Sequence, residues 1–177
     1  VFNKMMDQLK DERLQVREKN HFLDLLIQAS PQGVVILDFD EKISEISSRR
    51  NRIEKGLRTL IRNTLRMNIG LIKAKTAVLA SVPEGRREKL NALEFNQILE
   101  PTNSPLFFLD LKSLFNKEWE HFKNITDIEK NKFLFMLDDI NSFGRPDAHS
   151  KTIDDDEFTQ LRLHFKKIEA ILDEFGY

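Results

Sequence analysis

From residue 47 to residue 177, apolar residues recur every three or four positions, which is the spacing of one face of an α-helix. The pattern breaks at Pro83-Glu84-Gly85 and over residues 100–105, where turn-forming residues cluster. The apolar positions of the longest predicted helices are Ile53, Leu57, Leu60, Ile61 and Leu65, then Phe133, Met136, Leu137 and Ile140, then Phe158, Leu161, Phe165, Ile168 and Leu172. This pattern predicts a mainly α fold, built as a helical bundle.

The first part of the chain has a different pattern. Residues 2–29 contain no Gly or Pro and predict a helix that ends before Pro31, because proline disfavours a helical conformation in the residue preceding it. The short apolar run Gly33–Leu37 predicts a buried strand, and Ile43, Glu45 and Ile46 predict the start of a second, antiparallel strand. An N-terminal helix followed by a short β-hairpin is therefore expected.

These patterns divide the chain into an N-terminal extension, residues 1–46, and a helical bundle, residues 47–177. The sequence starts at Val1 without a Met, which predicts a fragment of a longer protein whose other domains are further partners. Cys is absent, which excludes disulfides and thiolate metal sites, and no apolar run approaches the ~20 residues of a membrane span. We expect a cytoplasmic location, no membrane segment in this fragment, and no metal or other cofactor.

The charge distribution is uneven although the net charge is -1. Residues 47–89 hold 12 basic and 3 acidic residues, whereas residues 90–177 hold 10 basic and 17 acidic residues. Two interpretations stay open: the basic block pairs with acidic helices of the same chain, or it faces a polyanion. In the second interpretation Arg58, Arg62 and Arg66 would hold the phosphate backbone of RNA.

Candidate catalytic residues lie between the last two predicted helices, in Arg145-Pro-Asp-Ala-His149. With Pro146 as the first helical residue, Arg145 and His149 are one helical turn apart and can project together. An arginine clamps phosphate, a histidine transfers protons near neutral pH, and Asp147 would orient the imidazole. The alternative is structural: Arg145 pairs with Asp147 or another carboxylate, and His149 caps or packs.

Three segments resemble the HEPN superfamily of helical domains. Ile53-Glu-Lys-Gly-Leu-Arg-Thr-Leu-Ile-Arg62 is similar to its first helix, and Ser104–Phe115 with Trp119 is similar to its middle section. Gly144-Arg-Pro-Asp-Ala-His149, before an acidic helix start, resembles its Arg…His signature. The resemblance covers residues 48–176. It implies a homodimer in which two Arg…His motifs form a metal-independent ribonuclease site, in toxins, phage-defence systems or RNA processing.

The extension resembles a different class of protein. Residues 20–46 look like the opening of a PAS sensor domain, and residues 2–13 are similar to the helix that leaves a HAMP domain in sensor histidine kinases. This resemblance implies a role in signal transduction, with dimerisation supplied by the extension.

Two functional hypotheses follow. In the first, a HEPN-like homodimer binds or cleaves RNA through Arg145, His149 and Asp147, in a defence or stress system. In the second, the chain is a non-catalytic dimerisation or signalling module of a PAS-type sensor protein. The remaining side chains have structural interpretations: His121 at the core edge, His164 exposed beside the Leu161/Phe165 stripe, and Asp154–Glu157 as a helix cap, not a Mg²⁺ site.

Overall fold

A computed structural model of the chain describes residues 31–143 and 153–177. By its internal contacts the chain separates into two compact units, Val1–Lys42 and Ile43–Tyr177. The predicted helix over residues 2–29 lies outside the described residues. The features analysed below belong to the second unit.

The described residues are mainly helical and contain no strand. Among them, no helix is long and apolar enough to cross a membrane. A short 3-10 helix, Trp119–His121, lies between the fourth and fifth α-helices. The α-helices are α1 (Pro31–Ser81), α2 (Glu84–Asn91), α3 (Phe95–Ile98), α4 (Phe108–Lys117), α5 (Lys123–Thr126), α6 (Lys130–Phe143) and α7 (Asp155–Glu174).

The prediction of a β-hairpin is wrong, because both of its strands lie inside α1. A short apolar run such as Gly33–Leu37 has no periodicity that separates a strand from a helix. Pro31 is the first residue of α1, a position where the missing N–H costs no intrahelical hydrogen bond. Ile46 is 1% exposed and continues the buried stripe that contains Ile53. Residue 47, the first residue of the predicted bundle, is therefore an interior residue of the same helix.

Helix α1 is interrupted at Gly70, whose φ of 75° and ψ of 165° are not helical. This region of backbone space is essentially restricted to glycine. Buried residues continue beyond the interruption at Ala74, Val78 and Val82, so the second half of α1 also packs on the core.

Buried aromatic and aliphatic side chains form one continuous core. Helix α6 packs against both α4 and α7. Within this core the ring of Phe115 lies 4.5 Å from that of Phe122 and 5.0 Å from that of Phe133, and Trp119 lies 5.6 Å from Phe133. These tilted contacts are favourable for aromatic pairs and link α4, α6 and the segment between them.

The first half of α1 lies against α7 along a seam with a close contact and two ion pairs. A Cβ placed on Gly56 would be 2.7 Å from Cδ1 of Leu172, so only glycine fits without displacing that side chain. Arg49 donates from Nε and Nη2 to the two carboxylate oxygens of Glu169, at 3.0 and 2.6 Å. On the same seam, Nη2 of Arg52 lies 2.8 Å from Oδ1 of Asp173.

Substitution of Gly56 tests this seam. We expect Gly56→Val to lower the free energy of unfolding by about 1–3 kcal/mol, since the new side chain overlaps Leu172 in a packed region. Gly85→Val is the matched control, because nothing lies within 4 Å of the Cβ position on that exposed residue of α2. Urea unfolding of both variants measures the difference; equal midpoints would contradict the close contact.

Candidate functional site

The predicted catalytic residues Arg145, Asp147 and His149 lie outside the described residues. The structure describes both sides of that segment: α6 ends at Phe143, and Ile153 is buried just before α7. Whether the three side chains converge stays a prediction.

The acidic start of α7 is a helix cap, as predicted. Oδ1 of Asp154 accepts a hydrogen bond from the backbone N–H of Glu157 at 2.7 Å. In return, Oε2 of Glu157 accepts from the backbone N–H of Asp154 at 3.2 Å. This reciprocal capping box uses the carboxylates within the helix start. No group of His, Asp or Glu residues suited to a metal ion occurs among the described residues.

The first arginines of the basic block are neutralised within the chain. Arg49 is shared between Glu45 and Glu169, and hydrogen bonding to Glu169 raises the pKa of Arg49 above its ordinary value. Arg50 pairs with Glu54 at 3.1 Å. The interpretation of the basic block as an intramolecular charge match therefore holds for this part of α1.

Arg58, predicted to bind phosphate, is only 7% exposed. Its Nη1 donates to the carbonyl oxygen of Pro101 at 2.9 Å, and its Nη2 donates to that of Leu106 at 3.0 Å. Burial lowers the pKa of Arg58 below its ordinary value, and the charge of Glu54, 2.5 Å from Nη2, opposes that shift. The guanidinium thus holds the loop before α4 against α1. Both of its terminal nitrogens are engaged within the chain, so Arg58 is not among the RNA contacts proposed below.

Arg62 and Arg66 differ from the preceding arginines. Arg62 is half-buried and Arg66 is exposed, and neither has an ion pair or hydrogen bond with a described residue. They lie one helical turn apart on α1, about 6 Å along its axis. Within the described part of the chain, no carboxylate compensates these two cations, for which the sequence predicted phosphate contacts.

A cleft of about 510 Å³ opens beside Arg66, and we call it the Arg66 cleft. Its apolar walls include Leu60, Met67, Ile125 and Phe175, together with the ring of Tyr177. Asn63, Thr64 and Asn68 add polar groups from α1. The predictions from sequence missed this cleft, because its walls come from α1, α5 and the residues after α7.

The residues after α7 are positioned by a glycine-dependent helix ending. Gly176 has a φ of 76°, a left-handed value that favours glycine. The N–H of Gly176 donates to the carbonyl of Asp173 at 3.0 Å, and that of Tyr177 donates to the carbonyl of Leu172 at 3.0 Å. This Schellman arrangement turns Tyr177 back toward α1, where its hydroxyl accepts a hydrogen bond from Nδ2 of Asn63 at 2.5 Å.

His164 is buried, which corrects the prediction that it is exposed. Its position continues the stripe of Leu161 and Ile168 at helical spacing, so the buried face of α7 is wider than predicted. Nε2 of His164 lies 2.8 Å from the amide nitrogen of Gln160, and Nδ1 lies 3.1 Å from Oδ2 of Asp139. The Nδ1 approach is close but lacks hydrogen-bond geometry.

Burial controls the protonation of this pair. It lowers the pKa of His164, an effect that the charge of Asp139 opposes. It also raises the pKa of Asp139, an effect that His164 opposes. Both shifts favour the neutral forms, so desolvation outweighs the mutual attraction of the charged forms.

No family model matches the chain, and the comparisons found no curated protein and no solved structure similar to it. The HEPN and HAMP/PAS resemblances therefore stay predictions from the residues quoted above.

The His164 pair predicts a pH dependence of stability. The unfolded histidine takes up a proton near its ordinary pKa of 6.5, whereas the folded one resists protonation to lower pH. Stability from this group is present above pH 6.5 and is lost as the pH falls toward the lower pKa of the folded state. We expect His164→Gln to weaken the fall in melting temperature between about pH 7.5 and about pH 5.

Asp139→Asn is the control for that measurement. It removes the carboxylate that favours protonated His164, so we expect a steeper loss of stability on acidification than in the wild type. Identical pH profiles for the wild type and His164→Gln would contradict the assignment.

Proposed function

We propose that this chain is an RNA-binding helical domain that cleaves RNA without a metal when two chains associate. The observation that carries the proposal is the pair of uncompensated cations, Arg62 and Arg66, on the same helix whose earlier arginines are neutralised by carboxylates. Unpaired cations at helical spacing favour a polyanionic partner, because each phosphate contact releases counterions.

The cleavage step rests on Arg145 and His149. The imidazole of His149 would accept the proton of a ribose 2′-hydroxyl as the 2′-oxygen bonds to phosphorus. The bond from phosphorus to the 5′-oxygen of the next nucleotide would then break, and that oxygen would take up the proton now held by His149, producing a cyclic phosphate and a free 5′-hydroxyl. Arg145 would stabilise the added charge on the phosphoryl oxygens, and Asp147 would hold the imidazole in place. The homodimer that this site requires is part of the proposal.

A second candidate function is a non-catalytic signalling module. The observation that favours it is the interruption of α1 at Gly70, where the backbone is not helical. A helix with such a break is suited to bending and so to transmitting a displacement. In this function the basic residues would serve folding and dimerisation, and the chain would have no RNA partner.

Removal of the imidazole tests cleavage. With EDTA present, we expect His149→Ala to cleave single-stranded RNA at least about 100-fold more slowly than the wild type, as expected for loss of a general acid–base group. The fragments of the wild-type reaction should carry cyclic phosphate ends. His121→Gln is the control, since His121 lies beside Glu118 in the 3-10 helix region of the chain.

The wild type and His149→Ala should bind RNA with similar affinity, because the phosphate contacts on α1 are intact in both. Equal cleavage rates for the two proteins, or no cleavage by either, would sink the enzymatic part of the proposal. Failure of the wild-type dimer to bind any RNA would favour the signalling function.

Removal of the free cations tests binding. We expect the double variant Arg62→Gln/Arg66→Gln to bind single-stranded RNA more weakly and to reduce the slope of log affinity against log salt concentration by about 1.4, from two lost contacts. The control Arg52→Gln removes one positive charge from the same helix, at a residue already paired with Asp173, and should leave the slope unchanged. Fluorescence anisotropy over a salt series measures both; an unchanged slope in the double variant contradicts the proposed contacts.

A further inference from the structure

We infer that the Arg66 cleft receives one unstacked base of a single-stranded RNA, while Arg66 holds an adjoining phosphate. The inference rests on the proposed RNA-binding function and deepens it by naming the form of RNA that is recognised. It places recognition at the junction of α1, α5 and the residues after α7, separate from the proposed cleavage residues in sequence.

The size of the cleft suits one nucleotide. Its volume of about 510 Å³ falls within the range of sites that enclose small ligands. The cleft is open to solvent, so a base could enter while its ribose and phosphate remain in the RNA strand outside. A base within a duplex, stacked on both faces, could not enter in this way.

The walls of the cleft present aromatic and apolar surface. Phe175 is 41% exposed and Met67 is 84% exposed, although both are large apolar side chains. Tyr177 is half-buried, and its ring is held by the bond from Asn63 to its hydroxyl. Stacking on aromatic rings is the usual way in which proteins bind unpaired bases, because every base has a flat apolar face.

Polar groups of α1 complete the cleft. Nδ2 of Asn63 is occupied by Tyr177, but Oδ1 of Asn63 accepts no hydrogen bond from a described residue. Asn68 makes a single long contact, 3.5 Å from its Nδ2 to the carbonyl oxygen of His121. The edge of a nucleobase carries the donors and acceptors that match such amides.

The positive charge of Arg66 also favours a nucleotide as the ligand of the cleft. Arg66 lines the cleft and has no acidic partner among the described residues, so an anionic group beside the base would meet an uncompensated guanidinium. An aliphatic chain with a carboxylate would satisfy Arg66 and the apolar walls. It would offer no hydrogen bond to Oδ1 of Asn63, which accepts none from a described residue, whereas the edge of a nucleobase carries donors. The combination of ring, amide and cation therefore favours a nucleotide of RNA.

The test measures binding of the full chain to a short single-stranded RNA with 2′-O-methyl riboses, which cannot be cleaved, and to the same strand in a duplex. Phe175→Leu keeps an apolar side chain but removes the aromatic face. We expect it to weaken binding of the single strand by roughly five- to 100-fold, the effect of losing one stacked base. Binding of the duplex should not change.

Two matched controls accompany this variant. Phe135→Leu alters an exposed Phe of α6 that is 57% exposed and does not line the cleft. Lys55→Gln is compared with Arg66→Gln, because both are exposed cations of α1 and only Arg66 lines the cleft. We expect Phe135→Leu and Lys55→Gln to keep the affinity for single-stranded RNA within about twofold of the wild type. We expect Arg66→Gln to lower that affinity by about tenfold.

The outcomes separate this inference from the proposed function. Unchanged single-strand binding by Phe175→Leu, with His149-dependent cleavage intact, overturns the cleft and leaves the enzyme proposal standing. Competition by dodecanoate but not by adenosine monophosphate also overturns the inference, in favour of an aliphatic ligand. Selective loss of single-strand binding in Phe175→Leu and Arg66→Gln supports the cleft even if His149→Ala cleaves at the wild-type rate.

Discussion

The contact between Gly56 of α1 and Leu172 of α7 is the one on which the seam between these helices depends. With no side chain at Gly56, Leu172 fills the space beside α1, and the two helices lie near enough for Arg49 to reach Glu169. That arginine binds with two parallel hydrogen bonds, a geometry that fixes orientation as well as adding energy. The same alignment carries the end of α7 past α1, so that Tyr177 reaches Asn63.

The carboxylates of this seam also determine which arginines of α1 are neutralised. The acidic residues of α7 lie opposite the start of the basic block, and they neutralise Arg49 and Arg52. Farther along α1, Arg58 is withdrawn into the core by backbone carbonyls. Arg62 and Arg66 lie farther along α1 than these paired arginines and have no acidic partner among the described residues. A chain that is nearly neutral as a whole thus retains a local positive surface, which is the kind of surface that a polyanion recognises.

Much of the fold could be predicted from the sequence because long amphipathic helices repeat one signal many times. The stripes of α1, α6 and α7 are found where their spacing placed them. The prediction of a hairpin is wrong because Gly33–Leu37 is too short and too uniformly apolar to show the periodicity of a strand or of a helix. The prediction that His164 is exposed is wrong for a related reason. The stripe of α7 was defined by apolar residues alone, although the spacing of Leu161 and Ile168 includes position 164.

The candidate site was less predictable, because its parts meet only in three dimensions. The arginines of α1 were identified from their repeat, but nothing local to Arg58 shows that Pro101 and Leu106 will take up its donors. The Arg66 cleft needed the turn at Gly176, a single glycine near the end of the printed sequence, to bring an aromatic ring against α1. Such a site depends on helix ends and not on periodicity.

Helix α1 holds both the ion pairs with α7 and part of the Arg66 cleft. A rotation or shift of this helix would have to break the bonds from Arg49 to Glu169 and from Arg52 to Asp173, and would drive residue 56 away from Leu172. The same movement would carry Asn63 away from Tyr177 and so alter the wall of the Arg66 cleft. Because one helix holds both sets of contacts, a displacement of α1 would change the Arg66 cleft. A ligand bound in the cleft would in turn resist that displacement, since coupling between two sites is reciprocal.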